Sequence, residues 1–71
     1  MKRHPVDSEV LRSVGYDPAQ QVLEIEFESG AVYWYFDVPE GLHRRLLQAD
    51  SHGEFFSRHV RNAGFAYERM R

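Results

Sequence analysis

A chain of 71 residues with no cysteine has room for one domain and no disulfide or thiolate metal site, so packing alone must stabilise it and a reducing cytoplasm is the expected setting. With 42% hydrophobic and 28% charged residues it is too apolar for a disordered segment, yet no run is apolar enough to span a membrane. The formal charge of -2 hides an asymmetry: up to Gly41 eight acidic residues face only Lys2, Arg3 and Arg12, whereas beyond it Arg44, Arg45, Arg58, Arg61, Arg69 and Arg71 outnumber Asp50, Glu54 and Glu68.

The opening Met1-Lys2-Arg3-His4-Pro5 lacks the apolar stretch of a signal peptide, and residues 1–8 are expected to be flexible. A first strand is predicted from Val10 to Tyr16, ending at the turn-forming pair Asp17-Pro18. From Val22 to Glu28 apolar and acidic residues alternate, the pattern of a strand with one buried and one wet face. Ser29-Gly30 then reverses the chain, and Val32 to Phe36 is rich in β-forming residues, so a hairpin is predicted.

The hairpin register decides where the aromatic side chains go. A two-residue loop at Ser29-Gly30 would pair Ile25 with Trp34 and send the indole to the core. A three-residue loop from Glu28 to Gly30, with Gly30 left-handed, pairs Ile25 with Tyr33 and Leu23 with Tyr35, leaving Trp34 partly exposed beside Glu24 and Glu26. The second arrangement is favoured.

Pro39 suits the first turn of a helix running to about Ala49, with Leu42, Leu46, Leu47 and Ala49 inward and Arg44, Arg45 and Gln48 outward. Ser51-His52-Gly53-Glu54 has capping-box spacing and opens a second helix. Phe56, Val60 and Ala63 form its inward stripe, Arg58 and Arg61 lie opposite, and Gly64 ends it. Phe65 and Tyr67 follow in a tail of open conformation. The expected fold is α+β: one domain over residues 1–71, with a three-stranded antiparallel sheet followed by two helices packed on one face.

Catalytic and metal chemistry find little support. His52 and His59 would sit about 10 Å apart along a helix, too far to share an ion, so neither metal nor cofactor is expected. Glu24, Glu26 and Glu28 share a strand face with no nucleophile or base at interpretable spacing, which reads as a wet surface.

The succession Ser13-Val14-Gly15-Tyr16-Asp17, then Gly30, Tyr33, Tyr35, Val38 and Pro39, then Ala49, Ser51, Gly53, Phe55 and Phe56 resembles the KTSC domain. That family is named for the C-terminus of some lysyl-tRNA synthetases and also occurs as short stand-alone bacterial proteins. The position between its two tyrosines is often polar, so Trp34 departs from the pattern. The resemblance implies a non-catalytic module for which RNA binding has been proposed.

Two uses follow. RNA, either tRNA or a single strand, would meet Arg44, Arg45, Arg58 and Arg61 on the helical half, with Trp34 as a stacking ring. Alternatively, Trp34, Val32 and Phe36 would form an apolar sheet face for a protein partner or a second copy. No membrane partner is expected.

Overall fold

Side-chain alternation commits Leu23, Ile25 and Phe27 to one face of their strand and Glu24 and Glu26 to the other. In the computed structural model, which describes residues 1–71, that strand is the centre of a five-stranded antiparallel sheet in the order β1-β2-β3-β4-β5. The strands are β1 (Arg3–Pro5), β2 (Leu11–Asp17), β3 (Val22–Phe27), β4 (Val32–Tyr35) and β5 (Tyr67–Arg69), with helices α1 (Glu40–Gln48) and α2 (His52–His59) between β4 and β5. The three expected strands are thus flanked by two short edge strands. Residues 1–8, expected to be flexible, supply β1, which pairs Arg3 with Gly15 and Pro5 with Ser13. Proline is tolerated there because an edge strand does not need every N–H.

The β3–β4 hairpin takes the three-residue loop. The Phe27 N–H donates to the Ala31 carbonyl at 2.9 Å, and Gly30 turns the chain with φ +94°. Ile25 therefore opposes Tyr33, Leu23 opposes Tyr35, and Glu24 opposes Trp34. A second irregularity lies in β2, where Leu11 opposes Phe27 but Ser13 opposes Glu26, making Arg12 the extra residue of a β-bulge. Leu11 and Ser13 would otherwise share a face; the bulge sends Leu11 into the core and the Ser13 hydroxyl to the Glu26 carboxylate at 2.8 Å.

Pro39 sits one position earlier than expected, at the N-cap of α1 with an extended ψ of 146°. Leu46 is fully buried, with Leu42 and Leu47 packed beside it. The Tyr16 ring stacks on His43 of α1 at 4.7 Å, and its hydroxyl donates to the Val38 carbonyl. Burial, opposed by nearby Glu40, pushes the His43 imidazole below its ordinary pKa. In α2 the Ser51 hydroxyl accepts from the Glu54 N–H at 3.2 Å, but the Glu54 carboxylate pairs with Arg58 at 3.0 Å instead of reaching back to complete a capping box. After α2 the chain tightens into a 3₁₀ turn, Arg61–Ala63, closed by left-handed Gly64. The helical phase is lost there, so Ala63 is exposed where the periodic pattern had placed it inward.

Both helices lie on the face that carries Leu23, Ile25 and Tyr35, and Phe56 is the largest fully buried side chain between the layers. Its ring meets Phe27 and Tyr35 edge-on at 5.5 and 5.4 Å. On the other face Arg3, Arg12 and Arg71 converge on the Glu26 carboxylate at 3.7 to 3.8 Å. The Ser13 hydrogen bond first, and these guanidiniums with it, hold Glu26 below the usual carboxylate range against the opposing effect of burial.

Two outcomes follow from this packing. Phe56→Ala should lose about 3–5 kcal/mol of stability in urea unfolding, a large part of the roughly 5–15 kcal/mol typical of a small domain. Ser13→Ala should be less stable than the wild type at neutral pH, where the lowered Glu26 pKa favours the fold. That deficit should begin to narrow as the pH falls below about 4.3, the ordinary unfolded value, and should vanish only once the pH has passed below the lowered value of folded Glu26, where the carboxylate is protonated in both proteins.

Candidate functional site

Where the helical layer gives way to the 3₁₀ turn, the inner face of β4 and β5 stays open as a groove of about 720 Å³. Its wall is set by the β4–β5 register, which pairs Tyr33 with Arg69 and Tyr35 with Tyr67. The three phenol rings lie close together, with Tyr33 to Tyr35 at 6.3 Å, Tyr33 to Tyr67 at 5.9 Å and Tyr35 to Tyr67 at 5.8 Å between centroids. Phe27 adds a fourth ring, edge-on to Tyr33 at 5.6 Å.

The rings are graded in exposure. Tyr35 is 5% exposed at the base, Tyr33 is half-buried, and Tyr67 is 65% exposed at the lip. None of their hydroxyls has a hydrogen-bond partner within the protein, in contrast to that of Tyr16. Burial raises the Tyr35 pKa, while the Arg61 guanidinium works against that rise. The Tyr35 phenol is therefore neutral at physiological pH, able to donate or accept a hydrogen bond.

Arg61 and Arg69 bring positive charge to the same groove. The Arg61 guanidinium lies over Phe56 at 5.4 Å and over Phe27 at 6.0 Å, which fixes a flexible side chain against aromatic faces. Neither arginine has a carboxylate within ion-pairing distance, whereas Arg3, Arg12, Arg58 and Arg71 each do. Glu9 and Glu28 stand at the rim, and Glu28 is paired with Arg12 at 3.6 Å.

Of the residues expected from sequence to form one basic face, only Arg61 reaches this groove. Arg58 is held by Glu54 and borders a second depression of about 630 Å³, whose lining includes Asp7, Glu9, Asp50 and Glu54. Arg45 lies over the Phe55 ring at 5.4 Å, and Arg44 is exposed on α1. Trp34 is on the opposite face of the sheet, where its Nε1–H donates to Glu24 Oε2 at 2.7 Å and its ring meets Phe36 edge-on at 6.4 Å. These five side chains thus form no single surface.

The expected apolar face around Trp34 is also interrupted. Val32 is only 4% exposed and its backbone bonds to Met70 and Arg71, while Trp34 and Phe36 are half-buried beside carboxylates pinned by arginine. Of the motif residues, Val38 is in the core, Pro39 and Ser51 cap the two helices, and Gly53 lies against Val10, where an added Cβ would make ordinary contact at 3.4 Å. Only Tyr33 and Tyr35 serve both the packing and the groove. Sequence reading missed Tyr67 and Arg69, although Phe65, Tyr67 and Arg69 share the period-2 spacing of a strand.

No helix of the protein is long and apolar enough to cross a membrane. The family model for the KTSC domain matches residues 7–65. An uncharacterised protein of Stutzerimonas stutzeri is 47% identical over 70 residues, covering 99% of both chains. A lysine–tRNA ligase of Nostoc sp. is 35% identical over 60 residues, 84% of this chain but only 10% of the ligase. The crystal structure of a KTSC domain protein from Yersinia pestis superimposes with a TM-score of 0.91 at 37% identity, covering 99% of this chain and 97% of the other. Sequence and fold agree: the chain belongs to the KTSC domain family.

Proposed function

We propose that the domain is a non-catalytic module that binds single-stranded RNA through the groove between β4, β5 and the 3₁₀ turn. The observation that carries this reading is the cluster of Tyr33, Tyr35 and Tyr67 beside Arg61 and Arg69. Single-strand binders combine rings on which bases stack with cations that track the phosphates, and base stacking tolerates any sequence. The phenol hydroxyls add donors and acceptors that a packed core would leave unused. An overall charge of -2 is unpromising for nucleic acid, but four arginines engage carboxylates internally while the two in the groove have none. The match to part of a lysine–tRNA ligase supports the same chemistry, since that enzyme's name places it on RNA. The unpaired stretches of a tRNA are the natural ligand class.

Fluorescence anisotropy with short labelled RNA tests the reading. Tyr33→Ala should weaken binding by roughly 5- to 150-fold, the effect of one lost base stack. Arg61→Ala should weaken it and lower the salt dependence by about 0.7 log unit per log unit of salt. Arg58→Ala, which removes a cation already held by Glu54, should change little. Circular dichroism would confirm that each variant is folded; full affinity in both Tyr33→Ala and Arg61→Ala would sink the proposal.

A further inference from the structure

We infer that this groove holds only about two nucleotides of RNA, and that the acidic depression beside it bars the strand from running on past Glu9. The inference rests on the RNA-binding reading and makes the ligand a short unpaired element instead of a long single strand. Two sets of groups fix the length. Of the rings that line the groove, Tyr33 and Tyr67 keep accessible surface, whereas Tyr35 is 5% exposed and Phe27 lies under the Arg61 guanidinium at 6.0 Å. Of the cations, only Arg61 and Arg69 line it, and Arg69 stands opposite Tyr33. A pair of stacking rings and a pair of phosphate partners match a step of about two nucleotides.

At the end of the groove nearest the β3–β4 hairpin the charge reverses. Glu9 and Val10 line both the groove and the depression of about 630 Å³ at the start of α2, so the two are continuous there. The depression is lined by Asp7, Glu9, Asp50 and Glu54 against Arg58 alone, and Arg58 is taken up by Glu54 at 3.0 Å. His52, in the same lining, turns its Nδ1 to the Leu46 carbonyl at 2.8 Å. Asp7, Glu9 and Asp50 have no ion-pair partner, in contrast to Glu28, which Arg12 engages at 3.6 Å.

The N-terminus of α2 opens into the same depression, but its partial charge of about half a positive unit is outweighed by the three uncompensated carboxylates. Exposed charges act on one another within about 10 Å at moderate salt. A single carboxylate at contact distance from a phosphate in water costs roughly a factor of five in affinity. A phosphate carried past Glu9 therefore weakens binding, and the strand must end there or turn away. Toward Tyr35 and Tyr67 the groove wall carries no further cation, so nothing there lengthens the contact.

Titrating the full chain with 5′-phosphorylated oligouridylates of two, four and ten nucleotides tests the assignment. The wild type should bind all three with a salt dependence of about 1.4 log units per log unit of salt, and with affinities that agree within about twofold once divided by the number of two-nucleotide registers each offers. The double variant Asp7→Lys with Asp50→Lys alters exposed residues that line the depression and not the groove. It should bind the ten-nucleotide ligand about fivefold or more tightly and with a steeper salt dependence, while the two-nucleotide ligand stays within about twofold of the wild type. A register-corrected affinity that keeps rising from two to ten nucleotides, or a folded double variant that gains nothing on the longest ligand, would overturn the inference and leave the RNA reading intact. Absence of binding at every length would remove the two together.

Discussion

Gly30 turns the β3–β4 hairpin with φ +94°, a conformation that costs a glycine little and most other residues much more. The loop it closes contains three residues, and the parity of that number determines which side chains share a face. Tyr33 and Tyr35 join Leu23, Ile25 and Phe27 under the helices, while Trp34 joins Glu24 and Glu26. A loop shorter by one residue would turn β4 over against an unchanged β3, burying the indole and leaving the two phenols on the face of Glu24 and Glu26. The groove, the core and the ionic face all descend from that single backbone choice.

The two faces of the sheet then solve opposite problems. On the helical side Phe56 fills the space above Phe27 and Tyr35, and the layer stops short of β5, so rings that begin in the core continue into an open wall. On the other side glutamates crowded on one strand are neutralised by guanidiniums from both ends of the chain, Arg3 and Arg71, and from the β2 bulge, Arg12. The bulge also delivers Ser13 to Glu26, and Gly15, farther along β2 and opposite Arg3, leaves room for the first residues, since a Cβ there would meet the Lys2 carbonyl at 3.0 Å.

Regular patterns in the sequence were legible because their period is local. The alternation from Val22, the turn at Gly30 and the Ser51 cap each depend on neighbours a few residues away. The edge strands were not, because three residues such as Arg3-His4-Pro5 or Tyr67-Glu68-Arg69 are too short for a period to emerge and owe their form to the strand beside them. The site shows the same division. Tyr33 and Tyr35 could be assigned inward, but that they also line a groove depends on where the helical layer ends. Arg61 was expected opposite the helix's buried stripe; the 3₁₀ turn shifts its phase and lays it over Phe56 and Phe27 instead.

The order of elements has a consequence for synthesis. β4 is made before both helices, yet its outer neighbour β5 follows them, so the hydrogen-bonding edge of Val32–Tyr35 is bare while residues 36–66 are being added. An unpaired strand edge rich in aromatic residues invites association with other nascent chains. The last strand therefore finishes the groove wall and covers that edge in one step, and a chain halted before Phe65 would have neither a complete groove nor a protected sheet.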